Sequence, residues 1–316
     1  MAENPRRSYN KTKGIFTSSN GITPVSYYIY EPKTEAKALV QIVHGMSEFI
    51  ERYESFIDFL CANSIAVCGN DHIGHGASVV TEDDYGFFYT GNGWRNMVSD
   101  AYTMSVIGRK HFPGLPYVML GHSMGSFVAR ACITKFGKQM SGVILSGTGC
   151  GIPFTTAQLA LVESVMKAKG SRYRSEAINA VAFAGYTSHI ENPRTQMDWL
   201  TRDKDIILKY LTDKRCITMF TVNGFDNLTK LYSYVNKDEW YDSVDKTLPI
   251  LLVSGSEDPV GNYGEGVKRV YNMLLKNKCS ARLKLYEGGR HEMLNEINRA
   301  EVYADVLEWL KVTLSL

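Results

Sequence analysis

One stretch, "YVMLGHSMGSFVARACITKF" from Tyr117 to Phe136, constrains this chain more than any other. A short apolar run of strand character meets a helical pattern, and a single serine, Ser123, stands at the junction between Gly121 and Gly125. A strand that becomes a helix within one residue needs a strained backbone at the turn and neighbours small enough for chains to approach closely. Serine is also a favoured helix N-cap, but a cap does not require glycine on both sides. The helix start directs unpaired N–H groups at an anion forming beside the serine. The junction therefore predicts a nucleophile at Ser123, with the Met124 N–H as one oxyanion donor.

The flanking segments supply the scaffold such a turn needs. "ALVQIVHG", "SIAVCGND", "YVML" and "SGVILSGT" are continuous apolar runs, as expected of strands buried on both faces. Helical patterns lie between them: Tyr53, Phe56, Ile57 and Leu60 share one face, and a longer helix is expected from Trp94 to His111. "GIFTSSNGITPVSYYIYEP" reads as a hairpin turning at "SNG", after a polar, frayed "NPRRSYNKTKG". This alternation predicts an α/β fold, a mostly parallel central sheet flanked by helices. The rhythm breaks between about Cys150 and Trp240, where helical patterns occur without a buried strand. It resumes with "LPILLVSGSEDP", a helix near Glu265 to Lys276, the strand "ARLKLYEGG" and a last helix striped by Val302, Val306, Trp309 and Leu310. The expected organisation is a first core part at 1–149, a helical cap inserted at 150–240 and a second core part at 241–316.

A serine hydroxyl needs a base, itself oriented by a carboxylate. His291 lies just past the last expected strand, in "GGRHEML", where two glycines let the loop turn back over the strand ends. The strand "SGVILSGTG" ends without a carboxylate, whereas "ILLVSGSEDP" ends in Glu257 and Asp258. Asp258 is expected to be the acid and Glu257 a neighbouring support. The order Ser123, Asp258, His291 is the serine, acid, histidine order of the α/β-hydrolase plan. The second oxyanion N–H is assigned to Met46, in the loop after "QIVHG".

Composition removes other classes. Lys plus Arg is 35 against 33 for Asp plus Glu, a formal net charge of +2, so no electrostatic footprint for nucleic acid exists. No apolar run is long enough to span a bilayer, and the polar opening is not a signal peptide. The six cysteines are scattered without CxxC pairing, which suits reduced thiols and a cytoplasmic protein. "HEMLNE" has Asn295 where a zinc protease needs histidine, and "DHIGHG" lacks a third ligand, so no metal is expected.

Together "VHGMSEFIERY", "DHIGHGAS", "LGHSMGS", "SGSEDPVG" and "YEGGRHEMLNE" resemble the serine hydrolases of the monoacylglycerol lipase and lysophospholipase group. "RTQMDWLTRD" and "FTVNGFDNL" in the inserted region resemble its bacterial members, so the likeness runs through nearly the whole chain. The resemblance implies an α/β-hydrolase fold with a helical cap, a carboxylester hydrolase without cofactor, and small ester or lipid-like substrates. It carries the triad onto Ser123, Asp258 and His291 and the oxyanion donors onto Met46 and Met124. Ser126 departs from the group, which often has a second glycine there. Peptidases, thioesterases and acyltransferases share the fold, as would a non-catalytic binding protein. "GIPFTTAQLALVESVMKA" has apolar side chains on more than one helical face, including Ile152, Phe154, Leu159, Leu161, Val162 and Val165. These side chains either pack the cap onto the core or line an acyl pocket and touch a membrane surface; spacing does not separate the two.

Overall fold

The computed structural model describes residues 7–89, 92–150 and 156–316, with the side chains of 156–159 excepted. Its first two strands, β1 (Tyr9–Thr17) and β2 (Pro24–Pro32), form the expected antiparallel hairpin. The turn between them is closed by the Asn20 side chain, which accepts from the N–H groups of Ile22 and Thr23. The hairpin begins earlier than its apolar residues indicate. Tyr9 to Lys13 pair with Tyr28 to Pro32, so most of the stretch taken as a frayed end is an edge strand. Lysines alternating along such an edge keep it from pairing with another chain, and they also hide its strand character from an apolar pattern.

The remaining strands build the sheet inward: β3 (Ala38–Val43), β4 (Ile65–Asn70), β5 (Tyr117–His122), β6 (Gly142–Ser146), β7 (Ile250–Gly255) and β8 (Ala281–Tyr286). The eight strands run in the order β1-β2-β4-β3-β5-β6-β7-β8, parallel from β4 to β8. Every residue of β3 to β7 is buried, which is why these strands read as unbroken apolar runs.

Their side chains alternate between two cores. Val40, Ile42, Val118, Leu120 and Ile144 face one side, and Leu39, Val43, Met119, Val143 and Leu145 the other. On the first side the helices α1 (Glu54–Ala62) and α11 (Arg299–Leu314) cover the sheet through Phe56, Ile57, Leu60, Val302, Val306 and Leu310. On the second lie α2 (Gly93–His111), α3 (Met124–Phe136) and α10 (Glu265–Lys276). Each fully buried aliphatic side chain contributes about 1.5–3 kcal/mol, so the two faces hold the strand ends rigidly in register.

Between β6 and β7 the described residues form helices and no strand: α4 (Thr156–Lys169), α5 (Glu176–Ala182), α6 (Lys204–Thr212), α7 (Lys214–Ile217), α8 (Val222–Val235) and α9 (Asp238–Ser243). Ser175, Asp203, Asp213 and Thr221 start α5, α6, α7 and α8 by accepting hydrogen bonds from first-turn N–H groups. α8 lies against α3 and α4, through Phe225, Leu231 and Val235 in the core that also holds Phe127.

Candidate active site

Ser123 sits where β5 gives way to α3, with φ 53° and ψ −123°. A non-glycine residue in this region is strained by about 1–3 kcal/mol and persists only when its surroundings fix it. Those surroundings are tight. A Cβ on Gly121 would lie 2.4 Å from the Gly125 carbonyl oxygen, and one on Gly125 would lie 2.0 Å from that of Val43. The serine makes no side-chain cap hydrogen bond to its helix, which disposes of a purely capping role. Its Oγ is bonded to no described residue, whereas its N–H donates to the Ser146 carbonyl at 2.9 Å. Ser126, the departure noted above, is buried and donates from Oγ to the Ser123 carbonyl at 2.6 Å, bracing the turn.

His291 and Asp258 come together from loops after β8 and β7. The His291 Nδ1 lies 2.9 and 3.0 Å from the two Asp258 oxygens, with both residues buried. A carboxylate there accepts, so Nδ1 carries the proton and Nε2 is left with the lone pair. Asp258 also accepts from the Val260 N–H at 2.9 Å and from Ser254 Oγ at 3.2 Å, which fixes its plane. Burial disfavours the imidazolium, but the Asp258 charge and hydrogen bond, with Glu292 and Glu48 beyond, outweigh it and raise the His291 pKa above its usual value. Behind the ring stands Gly147, at φ 58°, so close that a Cβ would meet His291 Cε1 at 2.9 Å.

The expected oxyanion loop follows β3. A Cβ on Gly45 would lie 3.0 Å from that of Ser123, so this loop presses on the elbow. The N–H of Met46 bonds to no described acceptor, and Met124, as the first residue of α3, has no partner within its helix. Both residues line the same cavity as Ser123 and His291, a space of about 550 Å³. A hydroxyl, an oriented imidazole and free N–H donors around one cavity can add an oxygen to a carbonyl and hold the resulting anion.

Beside this group lies an ion cluster that the spacing of "HGMSEFIERY" does not announce. Arg52 bonds through both terminal nitrogens to Glu292 at 2.8 Å, and Nη1 also reaches Glu48 at 2.9 Å. Glu48 further accepts from the Gly45 N–H and from the Tyr53 hydroxyl at 2.7 Å. Burial, opposed by Arg52, raises Glu48 to about 7, while Glu292 is held below its usual value because Arg52 outweighs burial. Glu48 and Arg52 stand four residues apart, but the third member, Glu292, lies 240 residues further on.

Three other histidines are packed rather than displayed. His44, His72 and His75 are buried, with the His44 and His72 ring centres 4.3 Å apart, and burial lowers all three pKa values. His122 is likewise neutral, lowered by burial and by His291 to about 3, and its ring centre lies 4.7 Å from that of His291. Among the described residues no group of histidine, cysteine and carboxylate side chains is arranged to hold a metal ion. Glu257 does not support the pair as expected: it is half-buried and faces His189 across 4.0 Å, while Asp258 turns inward past the strand end.

The apolar wall of the cavity comes from Phe127 on α3, Val181 and Ala182 on α5, and Phe225, Leu228 and Tyr232 on α8. Of the residues named from sequence, Leu161 and Val162 line a small adjoining hollow that shares Val181, Ala182 and Phe225 with the cavity, and Val165 packs on the core. Ile152 and Phe154, and the side chain of Leu159, lie outside the described residues.

Comparison with known proteins bears on the family and the fold. Residues 34–298 match the family described as serine aminopeptidase, S33. A monoglyceride lipase homolog of monkeypox virus is 25% identical over 95% of this chain and 98% of its own length. A monoacylglycerol lipase of Mycolicibacterium smegmatis is 24% identical over 96% and 98%. Among solved structures, a thermostable carboxyl esterase from Bacillus coagulans, in complex with glycerol, superposes with a TM-score of 0.90 at 29% identity, covering 96% of this chain and 99% of that one.

Proposed function

This chain belongs to the serine aminopeptidase S33 family and is a carboxylic ester hydrolase, and we propose that it cleaves uncharged, monoacylglycerol-like esters through Ser123, His291 and Asp258. The observation that carries the mechanism is the strained Ser123 opening on the same cavity as the His291–Asp258 pair. Ser123 Oγ attacks the ester carbonyl while His291 Nε2 takes its proton, and Asp258 holds the imidazole in the needed tautomer. The N–H groups of Met46 and Met124 stabilise the oxyanion; one such donor is worth roughly 3 kcal/mol of barrier. His291 then protonates the departing alcohol, and water repeats the sequence on the acyl-enzyme.

Charge around the cavity supports a neutral substrate. Neither Lys nor Arg is among its described lining residues, so a phosphate, as in a lysophospholipid or a coenzyme A thioester, would be buried without a partner. Its carboxylates, Glu48 and Glu292, already accept from Arg52, Gly45, Tyr53 and Asn295. A free α-ammonium group would find no unoccupied carboxylate, which disfavours an aminopeptidase despite the family description. The apolar wall from α3, α5 and α8 suits an acyl chain.

Residues 150–240 act in this reading as a cap over the strand ends. Val181 and Ile217 are exposed at the rim of the cavity and Leu208 on the cap surface, and they would rest on a lipid aggregate during substrate entry. Among the described residues no helix is long and apolar enough to cross a membrane, and all six cysteines are free and buried. A cytoplasmic location fits both.

The test is hydrolysis of a chain-length series of monoacylglycerols beside lysophosphatidylcholine and a prolyl anilide, with fluorophosphonate labelling. We expect turnover of the monoacylglycerols alone. Ser123→Ala should abolish labelling and lower kcat by about 10⁴-fold or more. Faster cleavage of the charged lipid or the anilide would overturn the substrate assignment, and activity retained by Ser123→Ala would overturn the mechanism.

A further inference from the structure

Two buried carboxylates share one buried guanidinium directly beside the general base, and catalysis as described so far uses neither. The side chains of Arg52, Glu48 and Glu292 are 10%, 3% and 4% exposed. Their bonds tie three separate parts of the chain together. Glu48 and Arg52 follow β3, and Glu48 holds the Gly45 N–H of the oxyanion loop. Glu292 immediately follows His291, and its own N–H donates to the Leu200 carbonyl at 2.7 Å. The Arg52 guanidinium also lies over the ring of Tyr210 on α6, 4.9 Å from its centre.

We propose that Glu292 is a positioning residue: its paired bonds to Arg52 lock the His291 segment to the oxyanion loop, and its charge favours the protonated imidazole formed during acyl transfer. The proposal rests on the triad reading given above. Two geometric facts support the first half. The bidentate pair fixes orientation as well as distance, because a planar guanidinium meets a carboxylate edge to edge. The Arg52 Nη1 is shared between the carboxylates, so moving Glu292 also disturbs the guanidinium that Glu48 accepts from, while Gly45 and Tyr53 still hold Glu48.

The second half follows from the charge count. With one cation between two carboxylates, the cluster carries a net negative charge once Glu48, raised by burial to about 7, has lost its proton, and below that Glu292 alone is ionised beside Arg52. The ionisable neighbours of His291 include Asp258, His122, Glu292 and Glu48, and those of Arg52 beyond its carboxylates include Tyr53, Tyr210 and Cys216, with His44 and Asp213 further out. Burial keeps His122 neutral and raises Tyr53, Tyr210 and Cys216, which leaves them uncharged, so within this cluster it is the Glu292 carboxylate, next in the chain to His291, that the imidazolium senses first. Consistent with this, Glu292 and Glu48 both act to raise the His291 pKa.

Glu292→Gln keeps the shape and removes the charge. For a monoacylglycerol substrate we expect kcat to fall about 10-fold to 100-fold with KM within about twofold, because a misplaced general base weakens only the transition state. The acid limb of kcat/KM against pH should move to lower pH, since losing a negative neighbour lowers the pKa of the base. Glu292→Asp keeps the charge but not the reach, so its kcat should fall while the acid limb stays in place. Circular dichroism and thermal melting verify that each variant is folded. If Glu292→Gln does not fold, Glu292→Asp carries the test, and an unchanged kcat in it overturns the proposal. A Glu292→Gln enzyme with wild-type kcat, or with reduced kcat and an unmoved acid limb, also overturns it. Wild-type protein that neither labels nor turns over esters points instead to failure of the triad reading.

Discussion

Gly147 leaves no room for a side chain, although nothing in "SGTG" announces it. Its φ is 58°, and an added Cβ would stand 2.9 Å from His291 Cε1 and 3.0 Å from Nδ1. Both neighbours belong to a ring already pinned by Asp258, so the ring cannot retreat without lengthening that bond. Gly147→Ala should therefore lower kcat by about 100-fold, the cost of displacing a catalytic group by roughly 1 Å. Gly114→Ala is the control: φ is 79° there, with nothing within 4 Å of the added atom, so backbone strain acts without touching the site. Steady-state kinetics on one short-chain ester, beside thermal melts of both variants, separates strain from displacement. The elbow itself was legible from sequence, because Gly121, Ser123 and Gly125 are neighbours along the chain. Gly147 was not, because the atom that forbids a side chain arrives from a loop after β8.

At the scale of elements the same distinction holds. Buried strands announce themselves through apolar runs, as β7 does before Asp258, whereas β8 before His291 is an edge strand whose polar and apolar residues alternate. β1 begins earlier than expected because Asn10, Lys11, Thr12 and Lys13 give it no apolar run, and among the described residues α5 and α8 contribute apolar wall to the cavity. Helical stripes tell which face is buried but not against what. Arg130 is a further case that no pattern marks. Two turns into α3 it is fully buried, donating to the Gly149 carbonyl at 3.3 Å, to the Val235 carbonyl and to Asn236 Oδ1 at 3.0 Å, with its guanidinium 4.4 Å from the centre of the Trp240 ring. Val235 is the last residue of α8, so one cation ties the end of a cap helix to the nucleophile helix. Arg130→Met should leave these acceptors buried without donors and cost about 3 kcal/mol or more, read as a fall in the urea midpoint. Arg130→Lys should recover only part, because an ammonium cannot serve carbonyls and an aromatic face in one plane.

The whole molecule carries its buried histidines as a debt toward acid. Burial lowers His44, places His72 and His122 near 3 and His75 near 4, all below the usual 6.5. Unfolded chains take up these protons as pH falls through 6.5, and the folded protein does not, so the stability present above 6.5 is lost on acidification. Glu48, raised to about 7, and Asp71, raised by burial to about 6, act in the opposite sense, because the folded state binds their protons first. Near pH 5 the balance is about two more protons on the unfolded chain, a loss of roughly 3 kcal/mol per pH unit. Urea midpoints at pH 7 and pH 5 should therefore fall steeply, and equal midpoints would contradict the neutral, buried state of these rings. One last property lies in the way β6 and β7 pair. They run side by side, from Val143 against Ile250 to Ser146 against Val253, although all the helices from α4 to α9 separate them in the chain. A cut within those helices would yield two polypeptides, one ending beyond the elbow and the other bearing Asp258 and His291, with a strand ladder between them as the zipper. The fold is thus already divided like a split reporter, whose ester turnover would register the reunion of two pieces that are each chemically silent.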